Sequence, residues 1–346
     1  MFVWAMRDKG SEWKAMQRFV TAGPLPFTPL VEAVCEPVIY QGKNPVKVIG
    51  DLGRKVLPLT DSGRVWVDLH NLLLQFSAND VAELYDVLRA GVGPAAPWIT
   101  PIVRTSSPEP VRDAAFTWGH AHGSGICIRV DGVGRVREKA DVVTGILTAF
   151  EADPSDVDLI FDAQDLPRVL SHGALNDLFP LSQFARNWVV LGGSFPSSIT
   201  DMKPDDYEHK RERREWTAWR DEMEIVGNSR RPLYGDYATQ SAIYTPSPPF
   251  PGSPSVRYTA GEEYVVLRGR RAAGAAQYIG HALYLREQAY YKEVVETPGD
   301  LYVDRIALRT EGTGNATTWR VASLERHLNV VAAQVARFVP VLTRTR

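Results

Sequence analysis

ICIRVD (Ile126–Asp131), an apolar run that ends in charge, has seven counterparts along the chain. They are VWAMRD from Val3, PLVEAV from Pro29, VWVDLH from Val65, TPIVRT from Thr100, DLIFDAQ from Asp158, WVVLGGS from Trp188 and LYGDYAT from Leu233. A strand that is apolar along its body and polar at its C-terminal end suits a parallel barrel. There the body packs inside and the tip faces a shared mouth. Read in order, the tips are Arg7, Glu32, Asp68, Arg104, Arg129, Asp162, the Gly192-Gly193-Ser194 turn and Asp236.

Between the runs lie stretches of helical spacing. Trp13, Met16 and Val20 share one stripe; Val81, Leu84, Val87 and Leu88 share another, with Gly91 placed to stop the helix. Asp141 to Phe150 and Tyr207 to Val226 read as helices too, the second with Trp216, Trp219 and Met223 opposite a charged side. Strand and helix alternate at close to the roughly 30 residues that one βα unit of a barrel occupies. The expected fold is a TIM-like (β/α)8 barrel, in a single domain over residues 1–346.

Two regions break the rhythm. Tyr40 to Gly63 reads as loop, and residues 244–254, YTPSPPFPGSP, read as a proline-rich connector. SVRYT from Ser255 and EYVVLRGR from Glu263 are expected to form a β-hairpin addition over residues 255–271, with an Ala-rich helix around Ala272 to Gln288 after it. Val321, Leu324, Leu328, Val331, Val335 and Phe338 give the last helix an apolar stripe, expected against the outside of the sheet.

With 39 basic and 41 acidic residues the formal net charge is −2, which argues against a protein that coats DNA or RNA. No apolar stretch approaches the about 18 residues of a membrane span, so no membrane association is expected. The opening MFVWAMRDKG is charged too early for a signal peptide, and a cytoplasmic protein is expected. Cys35 and Cys127 lack CxxC spacing and read as structural thiols.

The strand tips are the main candidates for chemistry. Glu32, Asp68, Asp162 and Asp236 are the candidate catalytic carboxylates, and Arg7, Arg104 and Arg129 could hold an anion beside them. The same residues could equally form a mutually neutralising network that closes the barrel top. The four carboxylates offer oxygen ligands suited to magnesium or manganese, with His70 two residues after Asp68. His120 and His122 could form a ligand pair or simply sit in an exposed glycine-flanked loop. No clustered His/Cys ligand set appears and the arginines compete for the carboxylates, so no metal site is assigned and the cofactor is left open. Gly192, Gly193 and Ser194 follow the seventh strand, where many barrels bind phosphate. Thr317, Thr318 and Trp319 in TEGTGNATTWR precede the last helix, and Arg257, Arg268 and Arg270 lie on or after the hairpin; all six are candidate ligand contacts. Trp118 and Trp319 are the candidates for stacking on a ligand, and KRERREW from Lys210 reads as a solvated helix face.

Several of these stretches also carry a family resemblance. FVWAMRDKGSEWKAM, TPLVEAV, LGGSFPSSI, RREWTAW, RPLYGDYATQ, VRYTAGEEYVVLRGR and GNATTWR resemble, in the same order, the beta family proteins, named after the beta protein of a satellite phage. Matched positions include Glu32, Ser194, Asp236, Arg257, Arg268 and Trp319. The resemblance implies a role in phage–host conflict, as a defence or toxin–antitoxin-like module with a protein partner, and supplies no reaction. The leading expectation is a module that binds a phosphate-bearing ligand, a nucleotide or nucleic acid, at the barrel mouth and acts with that partner. A phosphodiester or nucleotide hydrolase using the strand-end carboxylates, and a scaffold for protein recognition, are the alternatives.

Overall fold

Alternation within each apolar run sets the architecture. In VWAMR, Val3, Ala5 and Arg7 point one way, while Phe2, Trp4 and Met6 point the other. The computed structural model describes residues 1–34, 44–74, 76–131, 136–165, 182–183, 185–204, 207–225, 231–244 and 252–338. Eight parallel strands close into a barrel: β1 (Phe2–Arg7), β2 (Phe27–Glu32), β3 (Val65–Asp68), β4 (Ile99–Arg104), β5 (Ile126–Asp131), β6 (Val157–Asp165), β7 (Asn187–Gly193) and β9 (Leu233–Asp236). All eight apolar runs are barrel strands, as expected of a TIM-like barrel.

Inside the barrel, Val3, Ala5, Leu30, Trp66, Ile102, Cys127, Ile160, Val189 and Leu191 pack against one another. Phe2, Trp4, Met6, Val31, Val67, Val103, Ile128 and Phe161 form the outward layer that the helices cover. Those helices include α1 (Gly10–Ala22), α2 (Pro45–Val56), the short α3 (His70–Leu73), α4 (Ala78–Val92), α5 (Glu109–His122), α6 (Val136–Ala149) and α7 (Arg214–Ile225). No helix among the described residues is long and apolar enough to cross a membrane.

The C-terminal part forms a second, three-stranded antiparallel sheet in the order β10 (Ser255–Ala260), β11 (Glu263–Arg268), β8 (Glu208–Glu212). The hairpin is as expected, turning at Gly261 with φ +53°. Its third strand is not: Glu208–Glu212, EHKRE, was expected to start a helix and instead pairs with β11. It is an edge strand whose charges stay in solvent, so it carries no apolar signature. Three further helices, α8 (Gln277–Glu287), α9 (Pro298–Ala307) and α10 (Ala316–Ala336), pack on this sheet around Tyr278, Tyr302 and Trp319. The stripe of α10 from Val321 to Val335 is buried as the spacing implied, against both the barrel wall and β10. Most of the expected connector, residues 245–251, and Cys35 lie outside the described residues.

Tyr40 to Gly63 is not all loop, because Pro45–Val56 is α2, started by an Asn44 side chain that accepts from the Val46 N–H. Its glycines serve contact rather than flexibility. A Cβ on Gly53 would sit 2.9 Å from the Gly91 Cα, and one on Gly91 would sit 3.0 Å from the Gly53 Cα. Gly91 is thus the point where α2 and α4 touch backbone to backbone, and Gly93, at φ +55°, ends the helix instead. Gly53→Ala should therefore cost about 1–3 kcal/mol of stability, seen as a lower urea midpoint at unchanged slope. Gly145→Ala on α6, where a Cβ meets nothing within 4 Å, should be neutral or stabilising in the same assay.

Candidate functional site: the charged ring at the barrel mouth

Six of the expected strand tips share the parity of the barrel interior. Arg7 follows Ala5, Glu32 follows Leu30, Asp68 follows Trp66, Arg104 follows Ile102, Arg129 follows Cys127 and Asp162 follows Ile160, each two residues on. They therefore meet across the mouth. Arg129 is the hub: it donates to Glu32 and Asp68 at 2.7 Å each, to Asp162 at 2.6 and 3.0 Å, and to the Tyr237 hydroxyl at 2.6 Å. The Tyr237 hydroxyl in turn donates a hydrogen bond to Asp162 at 2.8 Å. Arg104 grips Asp68 at 3.0 and 2.9 Å, and Arg7 lies 3.4 Å from Glu32 while donating to the Ser241 and Ala242 carbonyls.

This ring is sealed. Glu32, Asp68, Arg129 and Asp162 are all at most 5 % exposed, and the segment after β9 closes on them through Tyr237 against Arg129 and the Ser241 and Ala242 carbonyls against Arg7. Burial resists ionisation of Asp68, but the Arg104 and Arg129 charges outweigh it and hold the carboxyl down at about 2. Burial opposes the Arg129 charge as well, yet its acidic neighbours raise its affinity for the proton well above the ordinary value. Burial pushes the Tyr237 hydroxyl up, so it remains a neutral donor. His70 opens α3 just past Asp68, which accepts its backbone N–H at 3.0 Å; its Nδ1 lies 2.9 Å from the Ser107 hydroxyl. Burial, then Arg104, lowers the His70 pKa and favours the neutral ring.

Asp236 and Ser194 are placed elsewhere, again by parity. In β9 the inward residues are Leu233, Gly235 and then Tyr237, so Tyr234 and Asp236 face outward. Asp236 accepts from His327 Nε2 at 2.8 Å, from the Tyr234 hydroxyl at 2.8 Å and from the Ala238 N–H at 3.0 Å. His327 also meets the Thr259 hydroxyl at 3.0 Å. Ser194, one past inward Gly193, donates to Glu215, which also accepts from Tyr264 at 2.8 Å. Arg213 joins this second cluster 3.6 Å from Glu215 and 4.0 Å from Asp236. Burial pushes the Glu215 carboxyl up. Gly193 earns its small size at the mouth, where a Cβ would press on Tyr237 at 3.2 Å and Ala242 at 3.4 Å; Gly192 is buried beside it, in register with Asp236.

The remaining candidates lie around the second sheet. Arg268 holds the Thr200 and Met202 carbonyls, tying β11 to the loop after β7. The Arg270 N–H and carbonyl are bracketed by the Gln277 amide. Thr317 and Thr318 give their N–H groups to the Asn315 side chain, so the start of α10 caps itself. Trp319 is 1 % exposed, stacked on Tyr278 at 4.9 Å, and donates to the Thr313 carbonyl. Trp118 is likewise core, bonded to the Ile99 carbonyl at 3.0 Å. Arg257 donates to the Thr239 carbonyl at 2.6 Å with its guanidinium over the Phe195 ring. Among the described residues no group of three or more His, Cys, Asp or Glu is arranged to hold a metal ion.

A sequence model of the family described as Beta protein matches residues 5–333, nearly the whole chain. The chain belongs to the Beta protein family. No curated protein matches it. In this family member the residues that sequence reasoning passed over are Tyr237, Arg213 and His327, each at most 1 % exposed. Tyr237 was legible from parity alone, two past Gly235. Arg213 sat in a charged run and His327 in an apolar helix stripe, and nothing local marked either.

The Asp68 geometry sets an acid limb. Its carboxyl sits at about 2 in the fold against 3.8 for a free side chain, so the ring's contribution is full above about pH 4. It is lost as the pH falls toward 2, an effect of about 2 kcal/mol. Urea unfolding between pH 5 and 2 should show this loss for the native chain, and Asp68→Asn should be less stable at pH 5 with a flatter slope.

Proposed function

We propose that this family member works by binding rather than by turnover at its strand-end carboxylates. In this reading the barrel is a rigid scaffold that engages a protein partner, antitoxin-like or as a complex subunit, in the cytoplasm and in a phage–host setting. A phosphate-bearing ligand sits on the cationic edge of the mouth. One observation carries the reading: Glu32, Asp68 and Asp162 are all committed to one buried guanidinium, Arg129. A general base works best with a pKa near the working pH, and Asp68 is held far below that at about 2. A divalent cation would have to displace arginines from the same oxygens.

The partner half of the reading is supported by the outer helices. Two grooves, about 660 and 580 Å³, flank α5, the first lined by Tyr85, Pro110, Ala114, Trp118 and His122. They give a partner concave surface away from the ring.

The test is gentle affinity purification of the full chain from its own host, followed by native mass spectrometry. A stoichiometric protein should be retained by the native chain and by a folded Asp162→Asn variant alike. Metal-dependent hydrolysis of a phosphodiester or nucleotide by the purified chain, abolished in folded Asp162→Asn and Asp236→Asn variants, would overturn the reading in favour of a hydrolase.

A further inference from the structure

Opposite the sealed ring, the N-terminal end of the barrel carries a cavity of about 260 Å³. Leu59, Trp66 and Leu233 give it an apolar wall, its polar groups include Ser62, Arg64 and Asn187, and no carboxylate lines it. Parity places these polar groups, as it does at the mouth. Arg64 lies two residues before inward Trp66, Asp158 two before Ile160 and Asn187 two before Val189, so they form a polar layer beneath the apolar interior.

Two cations of this end meet on one oxygen. The Ser124 carbonyl accepts from Arg64 Nη1 at 2.6 Å and from both Nη atoms of Arg186 at 3.3 Å. Asp158 is committed to Arg186 at 2.7 and 3.0 Å, and it also accepts from Trp66 and Asn187 at 2.9 Å each. Arg64 has no ion pair among the described residues; its other contact is the Thr100 hydroxyl at 3.3 Å, again through Nη1. Its Nε and Nη2 are bonded to nothing among the described residues and are not buried, so the guanidinium keeps a free edge where it lines the cavity. Burial, then the Arg186 charge, lower the Arg64 pKa from its usual value, and Asp158 and Asp156 only partly oppose them. Asp156 is exposed, and water screens its charge.

We propose that this cavity binds a small organic carboxylate, with the anionic group on the free edge of Arg64 and an apolar body against Leu59, Trp66 and Leu233. A carboxylate accepts two parallel N–H bonds from Nε and Nη2, and the Ser62 hydroxyl at the exposed rim adds a third donor. The anion supplies the counter-charge that Asp158, already paired, does not. Barrels of this kind carry out reactions at the C-terminal face, so a site at the opposite end is one of binding. The inference stands apart from the reading of the mouth and from any protein partner.

Titration calorimetry of the full chain at low salt tests it, with benzoate, phenylacetate and hexanoate as probes, each beside its neutral amide. The native chain is compared with Arg64→Gln, Ser62→Phe and the one-charge control Arg89→Gln on α4, each checked for native circular dichroism. The site predicts saturable 1:1 binding of at least one of the acids. That binding should be about tenfold or more weaker for the matching amide and for Arg64→Gln, and should hold in Arg89→Gln. Ser62→Phe, which crowds the rim without removing a charge, should weaken it severalfold. Equal binding of acid and amide, undiminished binding in Arg64→Gln, or no binding of any of the three acids overturns the proposal. If Arg64→Gln does not fold, Ser62→Phe decides, and unchanged binding there overturns the site. Thermal unfolding gives a second readout: the tightest acid should raise the native midpoint and leave that of Arg64→Gln unmoved. An equal rise in both proteins contradicts the proposal.

Discussion

The Arg129 guanidinium, sunk among Glu32, Asp68 and Asp162, is the contact on which the mouth of this barrel depends. Removing a guanidinium and three carboxylates from water costs several kcal/mol per ion, and only near-complete pairing offsets that cost. The pairing here reaches across strands β2, β3, β5 and β6 and takes in Tyr237 from the segment after β9. No one strand could supply it. Closure of the barrel and completion of the ring are therefore one event: the register that pairs Arg7 with Glu32 and Arg104 with Arg129 across neighbouring strands is the register that brings the charges together. A slip of one residue would turn every tip to the helix side.

That rule is visible in the molecule itself. Asp236 ends its strand one residue out of phase with the other tips, and it anchors a separate cluster with His327, Tyr234 and Arg213 on the outer side. Through His327 and Thr259 this cluster joins β9 to β10 and α10, so it fastens the second sheet to the barrel. Hydroxyl, imidazole and carboxylate in a row resemble a proton relay. Thr259, His327 and Asp236 are each 0 % exposed, however, as befits a buried structural link. The inner ring and the outer cluster are two locks on the same end of the barrel.

Much of this was legible in the sequence because it obeys short-range rules. Strand bodies announce themselves by apolar runs, and the tips by where charge resumes, so all eight barrel strands and the six charged residues of the ring could be read directly. What was not legible depended on distant partners. EHKRE has no apolar face because it borrows its strand character from β11. Gly50 and Gly53 look like loop residues, although Gly53 exists to let α2 touch α4 at Gly91. Trp319, beside hydroxyls and glycines, looks like a ligand platform, and its burial follows only once Tyr278 and Tyr302 are folded around it. Asp236 was misplaced among the inward tips for want of a parity count, which Leu233 and Gly235 would have allowed.

The claim that the ring is a structural lattice rather than a set of free acids is tested most directly by the coupling between Arg129 and Asp162. Unfolding free energies of the native chain, Arg129→Met, Asp162→Asn and the double variant form a closed cycle. A lattice predicts that the double variant loses much less stability than the two single losses together, a coupling of about 1–3 kcal/mol. Losses that add to within about 0.5 kcal/mol would show that the two groups act independently, and the account would fail.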